Sequence, residues 1–291
     1  MIGRARSWLY VPAHQPGLLA KAMAGEADAV VLDLEDAVPA AAKEDARRNA
    51  RLAAARSQPK PLWMRVNPPG TPEGAADLAA LAGTPAGGDP AGGSLAGVRV
   101  AKAEDPAAVA NFSERVGAPV HLLIETALGV ENAFVLARCH PAVAVVSLGE
   151  ADLMADLRVR DPGALDWARQ RVIVANRAAG LPSPPHAVWT DVADLAGLAE
   201  DTAAARDRGF FGRSLVHPRQ VETVNRIFTP SPAEVERARD LLAARAARSE
   251  SGTTAWLDDQ GRLIDPAVVA GARWVVDLAD SLATGRMSSR S

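Results

Sequence analysis

Eight short apolar runs, each followed by polar or glycine-rich residues and then by a helical pattern, constrain the fold of this chain more than any other feature. They are rich in Val, Leu and Ile and do not alternate with polar residues, which is typical of strands buried on both faces of a parallel sheet. The runs are Ser7–Val11, Ala29–Leu34, Pro61–Val66, Val98–Ala101, Val120–Ile124, Val143–Leu148, a weaker one at His186–Trp189, and Ser214–Val216.

Strands that alternate with helices in this way predict an α/β fold, namely a (β/α)₈ TIM barrel with a C-terminal helical extension. A doubly wound open sheet is the alternative, but no G-x-G-x-x-G motif follows the first run, which disfavours it. We assign residues 1–230 to the barrel and residues 231–291 to the extension, which we expect to act as a lid or an oligomerisation segment.

Two kinds of segment lie outside the repeat. The glycine- and proline-rich stretch Gly83–Gly97 predicts a flexible loop within one βα unit. In the extension, Ser231–Glu234 has a capping-box pattern and predicts a helix that ends at about Arg248. A last helix is predicted from Pro266 to about Leu282.

Charge and cysteine content exclude some classes of protein. A formal net charge of −3 and a pI of about 6.0 give no general attraction to nucleic acid. The single cysteine, Cys139, rules out an intrachain disulfide and favours a reducing compartment. The apolar run near the first residue is only about five residues long, too short for a signal peptide or a membrane span. We therefore expect a cytoplasmic protein that binds neither nucleic acid nor membrane.

Polar side chains occur where the apolar runs end. Because catalytic groups of a TIM barrel lie at the carboxyl ends of its strands, these side chains are expected to face one opening. They are Asp33, Glu35 and Asp36 after the second run, Arg65 and Asn67 at the third, Lys102 after the fourth, Glu125 after the fifth, Glu150 and Asp152 after the sixth, and His217 after the eighth.

Glu125 and Asp152 follow neighbouring strands, so their carboxylates are predicted to approach each other. Two close carboxylates repel and therefore favour a shared proton or a cation between them. Mg²⁺ takes one or two protein carboxylates and keeps positions open for water and substrate oxygens. Zinc is disfavoured, because the sequence has no His/Cys cluster. The alternative is that each acid only caps the helix that follows it.

Arg65 ends a strongly apolar run, and a guanidinium at that position needs an anion. It is a candidate clamp for a substrate carboxylate or a developing enolate oxygen. A structural salt bridge to Asp33 or Glu35 is the alternative, and the two roles are compatible. Lys102 and His217 are weaker candidates, and His217 is expected to close the last strand with a side-chain hydrogen bond.

These same segments resemble the citrate lyase β-subunit and malyl-CoA lyase family, within the HpcH/HpaI aldolase superfamily. The resemblance covers nearly the whole chain, and its most specific motifs are LDLEDAVP and IETALG. The matching segments are Arg6–Pro39, Arg65–Asn67 (RVN), Val100–Lys102 (VAK), Leu122–Val130 (LLIETALGV), Ser147–Leu157 (SLGEADLMADL) and Gly209–Val221 (GFFGRSLVHPRQV).

The resemblance implies a Mg²⁺-dependent carbon–carbon lyase, with Mn²⁺ as a possible substitute, that acts on a 3-hydroxyacyl-CoA thioester such as malyl-CoA or citramalyl-CoA. The products would be acetyl-CoA and a 2-oxo acid. It implies the following roles: Glu125 and Asp152 bind the metal, Arg65 binds substrate, Glu35 and Asp36 support metal-bound waters, and Arg6 and Lys21 lie near the CoA.

The resemblance also gives a role to Gly261–Asp265, which matches a G-x-x-I-D motif. In the family this aspartate reaches the active site of a neighbouring subunit, so Asp265 would be the general acid/base of a homotrimer or a multiple of one. The alternative is an ordinary helix cap, because Asp265 directly precedes Pro266.

Three segments depart from the family pattern. Ala101-Lys102 stands where Pro-Lys is common, Pro184–Val188 where an Ala-Ile-Asp-like motif is usual, and Arg158–Asp166 where a glycine-led loop is usual. These departures leave the predicted metal ligands intact and bear on the identity of the substrate.

Three other functions are compatible with the sequence. A β-subunit could act on citryl groups carried by an acyl carrier protein, although the Asp265 segment favours a stand-alone lyase. A non-catalytic acyl-CoA-binding barrel would have no need of a metal pair. A phosphoenolpyruvate-type barrel lyase is the most remote alternative.

Overall fold

The computed structural model describes residues 2–82, 95–248 and 254–288, without the side chains of residues 2 and 284–288. The chain forms two compact units, Met1–Ile227 and Phe228–Ser291. The division expected from the sequence, after residue 230, falls close to this one. No helix within the described ranges is both long and apolar enough to cross a bilayer.

A curled sheet of seven parallel strands forms the centre of the first unit. Its strand order is β6-β5-β4-β3-β2-β1-β7, so each strand from β1 to β6 lies beside its neighbour in sequence. The strands are β1 Ser7–Pro12, β2 Ala29–Asp33, β3 Leu62–Val66, β4 Leu95–Val100, β5 Val120–Ile124, β6 Val143–Leu148 and β7 Arg213–Leu215. This is an α/β fold of the TIM-barrel type, with all carboxyl ends at one edge.

The run at His186–Trp189 does not form the full strand that was predicted. Only His186 pairs with the sheet, through an isolated parallel bridge to Arg213. Pro182, Pro184 and Pro185 precede it and lack the backbone N–H groups that a strand needs. The prediction of eight strands in one parallel sheet is therefore corrected to seven strands and one bridge in the described part of that sheet.

Helices connect the strands and cover the sheet. Asp105 shows how one begins: its side chain accepts hydrogen bonds from the N–H groups of Ala107 and Ala108, and Pro106 occupies the first helical position. The helices of this unit are α1 Pro16–Ala24, α2 Lys43–Ala54, α3 Pro72–Leu81, α4 Pro106–Val116, α5 Ala127–Glu131, α6 Ala133–Arg138, α7 Glu150–Leu157, α8 Asp166–Ala178, α9 Leu195–Asp207 and α10 Val221–Phe228.

The predicted loop Gly83–Gly97 falls largely on residues 83–94, which lie outside the described residues. Its last three residues belong to β4, which begins at Leu95 rather than at Val98. Position 97 of this strand is a glycine because a methyl group at its Cα would overlap the indole ring of Trp63.

The second unit contains two helices and a small hairpin. α11 spans Pro232–Arg248, and α12 spans Pro266–Ser288. Between them, β8 (Trp256–Leu257) pairs antiparallel with β9 (Leu263–Ile264). The predicted capping box is confirmed, since the N–H of Glu234 donates to Ser231 Oγ at 3.2 Å and the N–H of Ser231 donates to Glu234 Oε2 at 2.7 Å.

Candidate metal centre and active site

The predicted acids and bases gather at the carboxyl edge of the sheet. Glu35 follows β2, Arg65 lies in β3, Lys102 follows β4 and Glu125 follows β5. Asp152 lies in the first turn of α7, directly after β6. The parallel register of these strands therefore places five charged residues around one opening.

Glu125 is held in one orientation. Its side chain is 3% exposed, and its Oε2 accepts a hydrogen bond from the N–H of Lys102 at 2.8 Å. The carboxylate lies directly against Gly149, where a methyl group would overlap Oε1. Gly149 is therefore a glycine because the carboxylate occupies the space of a side chain.

Replacing Gly149 with alanine is expected to displace the Glu125 carboxylate and weaken Mg²⁺ binding about 10- to 100-fold. Calorimetric titration of the metal-free protein with Mg²⁺ measures this change. Gly17→Ala is the matched control, because a methyl group at Gly17 meets nothing within 4 Å. Unchanged Mg²⁺ affinity in Gly149→Ala would show that the position of this carboxylate does not matter to the metal.

The electrostatics of Glu125 indicate a site for a cation. Burial, together with the negative charges of Glu35 and Asp152, raises the pKa of Glu125 to about 7, against the opposing effects of the Lys102 N–H and Arg65. Asp152 and Glu35 therefore act on Glu125 as neighbouring negative charges. A cation near Glu125 would relieve both the burial cost and this repulsion.

The donor set fits Mg²⁺. No group of three or more His, Cys, Asp or Glu side chains in the described ranges is arranged to hold a metal by itself. Mg²⁺ does not require such a cage, because it is usually bound by one or two carboxylates and completes its shell with waters and ligand oxygens. The carboxylates of Glu125 and Asp152 are hard oxygen donors of that kind.

Arg65 is fixed by the acids of β2. Its Nε and Nη2 donate to Asp33 Oδ1 and Oδ2, both at 2.6 Å, and its Nη1 lies 3.0 Å from Glu35 Oε2. The structural salt bridge considered from the sequence is thus present. The guanidinium remains 13% exposed at the opening and lies 4.8 Å from the ring centroid of Tyr10. Its position is compatible with the predicted contact to substrate.

Asp33 organises the loop that carries Glu35 and Asp36, a role that the sequence did not reveal. It is fully buried and accepts the N–H groups of Glu35 and Ala37, each at 3.0 Å, in addition to Arg65. The sequence signal that could have revealed this role is a carboxylate within an otherwise apolar strand, because such a carboxylate needs a buried partner.

Lys102 contributes more to the site than the sequence indicated. Its Nζ lies 2.6 Å from Glu35 Oε1 and 3.7 Å from Asp36 Oδ2. Its backbone has φ = 49°, in the left-handed region, which is unusual for a residue with a side chain. Asp36 is 58% exposed, whereas Glu35 is buried between Arg65 and Lys102.

Glu150 faces away from the charged residues around the opening. It forms a bidentate pair with Arg169 on α8, with distances of 2.8 Å and 2.6 Å. His186 Nε2 lies 3.1 Å from Glu150 Oε1. Glu150 therefore connects the end of β6 to the single bridged residue that replaces the predicted seventh strand.

Three other predicted residues have different surroundings. Arg6 precedes β1 at the amino-terminal edge of the sheet and pairs with Asp28 at 2.7 Å, and its place near CoA stays a prediction. Lys21 is exposed on α1. His217 Nδ1 accepts the N–H of Arg219 at 3.2 Å, the expected local hydrogen bond.

Asp265 lies in the second unit and caps α12. Its Oδ1 accepts the N–H groups of Ala267 and Val268, both at 3.0 Å. The helix-cap alternative is confirmed by these bonds. The role as acid/base remains a prediction.

Comparison with known proteins assigns the family. The model of the family described as HpcH/HpaI aldolase/citrate lyase matches residues 6–87 and 94–218. The chain is 33% identical to a (3S)-malyl-CoA thioesterase of Cereibacter sphaeroides, over 97% of each chain. It is 30% identical to the citrate lyase subunit beta of Leuconostoc mesenteroides subsp. cremoris, over 95% of this chain and 93% of that one.

A solved structure agrees with these matches. The crystal structure of the protein CitE from Mycobacterium tuberculosis, in complex with magnesium, acetoacetate and coenzyme A, is similar with a TM-score of 0.80 and 32% identity. The similarity covers 96% of this chain and 100% of that one. This chain therefore belongs to the HpcH/HpaI aldolase/citrate lyase family.

Proposed function

We propose that this protein is a Mg²⁺-dependent carbon–carbon lyase that cleaves a 3-hydroxyacyl-CoA thioester, such as malyl-CoA or citramalyl-CoA, into acetyl-CoA and a 2-oxo acid. The observation that carries the proposal is the buried Glu125 carboxylate, seated against Gly149 and flanked by Asp152 and Glu35. Such an arrangement is unfavourable without a cation, and the CitE structure holds magnesium and coenzyme A.

Glu125 and Asp152 would hold the metal, and Glu35 and Asp36 would orient its waters. When bound, Mg²⁺ supplies a Lewis acid and a template for the oxygens of the 2-oxo acid. Mn²⁺ is expected to replace it, because both ions accept oxygen ligands.

Arg65 is suited to stabilise the thioester enolate. As the carbon–carbon bond breaks, its electron pair moves onto the acetyl-CoA fragment, and the thioester oxygen gains negative charge. The bidentate pair with Asp33 fixes the guanidinium before the charge develops, so little reorganisation is needed. A base must remove the 3-hydroxyl proton, and an acid must protonate the enolate carbon.

Asp265 is our candidate for that acid, provided by a neighbouring subunit of a homotrimer or a multiple of one. Coexpression of Glu125→Gln and Asp265→Asn subunits tests this. Each homo-oligomer should be inactive, whereas the randomly assembled 1:1 mixture as a whole should recover about one quarter of the unmodified activity, because random assembly brings an intact Glu125 to an intact Asp265 at that frequency. No recovery in mixed oligomers of confirmed composition would place Asp265 within its own subunit's site or outside the reaction.

Thioester hydrolysis is a second candidate, supported by the 33% identity to a (3S)-malyl-CoA thioesterase. Action on a carrier-bound citryl group is a third, supported by the match to a citrate lyase subunit beta. The three reactions differ in their products. A lyase yields glyoxylate and acetyl-CoA from malyl-CoA, a thioesterase yields malate and free CoA, and cleavage of a carrier-bound citryl group yields oxaloacetate and acetyl carrier protein.

The deciding experiment incubates purified protein with malyl-CoA, citramalyl-CoA or citryl carrier protein, with and without Mg²⁺. Glyoxylate, pyruvate or oxaloacetate is measured as its phenylhydrazone, and free CoA by thiol titration. We expect oxo acid without free thiol, and no turnover in EDTA. Metal-independent turnover, or thiol release matching malate formation, would contradict the lyase assignment.

A further inference from the structure

A charged arginine without an acidic partner lies in the interior beneath the site. Arg99, in β4, is 0% exposed, and no carboxylate of the described ranges lies within ion-pair distance of it. Its Nη1 donates to Tyr10 Oη at 2.8 Å and to Ser214 Oγ at 3.0 Å, while its Nη2 has no hydrogen-bond partner in that part of the chain. An uncompensated buried charge is costly, so a role beyond packing is expected.

The remaining neighbour of Arg99 does not supply a counter-charge. Its Nε donates to His121 Nδ1 at 3.2 Å, and His121 Nε2 lies 2.6 Å from Ser147 Oγ. Burial and the charge of Arg99 hold the pKa of His121 well below its usual range, so the imidazole is neutral. None of the hydrogen-bond partners of Arg99 in the described ranges therefore neutralises its charge, and its Cζ lies over the rings of Trp8 and Tyr10 at 5.1 Å and 5.3 Å.

Tyr10 connects this charge to the site. Its phenol oxygen accepts the hydrogen bond from Arg99, so its own proton points elsewhere, and no residue in the described ranges accepts that proton. Tyr10 is half-buried, and its ring centroid lies 4.8 Å from Arg65 Cζ and 5.3 Å from Arg99 Cζ. The phenol is thus a hydrogen-bond donor without an acceptor, beside the arginine that we propose binds substrate.

We propose that Tyr10 donates a hydrogen bond to an anionic oxygen of the bound 2-oxo acid, and that Arg99 is the positioning residue that orients the phenol for it. The proposal rests on the proposed function for the identity of the ligand. Two guanidinium groups around one phenol favour an anion over a neutral ligand. A phenol that already accepts from a guanidinium is also a stronger donor, because hydrogen bonds in a chain polarise one another.

The chain contains one tyrosine, so labelling with [¹³Cζ]tyrosine gives a single resonance from Tyr10. We expect Mg²⁺ with oxalate, a stable dianionic analogue of a 2-oxo acid, to shift that resonance. Arg99→Met should shift it in the ligand-free protein and reduce the response to oxalate, whereas Arg99→Lys should restore part of the response. Arg138→Met is the control, because Arg138 also lies over an aromatic ring, that of Phe134, but is exposed on α6.

Kinetics give the second measurement. Tyr10→Phe should lower kcat at least about 10-fold with less change in KM, since it removes one hydrogen bond and little volume. A resonance that does not respond to Mg²⁺ and oxalate, or a kcat within about twofold of the unmodified value, overturns the proposal. A resonance that shifts in a protein without lyase turnover supports the contact and overturns the proposed reaction instead.

Discussion

Replacing Glu125 with glutamine is expected to abolish Mg²⁺-dependent cleavage of malyl-CoA, with kcat/KM lowered at least about 10³-fold. Glutamine keeps the shape of the side chain, so it still fits against Gly149 and can still accept the N–H of Lys102. It removes the charge that we propose holds the metal. Calorimetric Mg²⁺ titration and initial rates of oxo-acid release measure the two losses separately.

The same substitution should stabilise the metal-free protein at high pH. Burial and the charges of Glu35 and Asp152 raise the pKa of Glu125 to about 7 from an ordinary value of 4.5, so ionisation of this carboxyl opposes folding. The cost is absent below pH 4.5, grows between the two values and is complete above pH 7. We expect Glu125→Gln to raise the free energy of unfolding by up to about 3 kcal/mol at pH 8 and not at pH 4. Added Mg²⁺ should raise the unfolding temperature of the unmodified protein only.

Two further variants make this test specific. Glu131→Gln changes an exposed glutamate six positions along the chain and should alter neither turnover nor Mg²⁺ affinity. Asp152→Asn should abolish Mg²⁺ binding as Glu125→Gln does. If Glu125→Gln keeps turnover that EDTA still removes, the metal is held by other residues and the proposed centre is wrong.

The grouping of Glu125 with Asp152 was predictable, whereas the separate role of Glu150 was not. Carboxyl ends of parallel strands share one edge, so acids that directly follow neighbouring strands must lie near each other. Glu150 follows the same strand as Asp152, but α7 begins at Glu150. Residues two apart on a helix point to nearly opposite sides, so only one of the two can face Glu125. Spacing alone does not show which one, because the deciding partner, Arg169, lies on another helix.

The strands also show what a sequence pattern can predict and what it cannot. Runs of Val, Leu and Ile located all seven strands of the parallel sheet in the described ranges to within about three residues, because burial on both faces leaves a strong pattern. The segment around His186 has a mixed composition and several prolines, and its pairing is reduced to one bridge. What holds it is a buried charge network between Glu150, Arg169 and His186, which has no sequence periodicity to detect.

Breaking the network of Glu150, Arg169 and His186 is expected to cause a large loss of stability. Hydrogen bonds and charges from Arg169 and His186 outweigh the burial of the Glu150 carboxylate, which alone would raise its pKa, and lower the pKa of Glu150 to about 2. A depressed pKa stabilises the fold fully above pH 4.5, and this contribution is lost as the pH falls toward 2. Glu150→Gln is expected to lower the free energy of unfolding by about 3 kcal/mol at pH 7, and the midpoint temperature by roughly 5–10 °C.

The pH dependence and two controls separate this charge network from a general packing defect. Because protonation removes the same interaction in the unmodified protein, the difference from Glu150→Gln should shrink as the pH falls below 4.5. Asp45→Asn breaks an exposed pair with Arg48 and should cost less than about 1 kcal/mol. Replacing Glu150 and Arg169 together with methionine should recover much of the loss, since no buried charge is then left unpaired. An equal loss at pH 7 and pH 3 would mean that shape, rather than charge, connects β6 to the His186 segment.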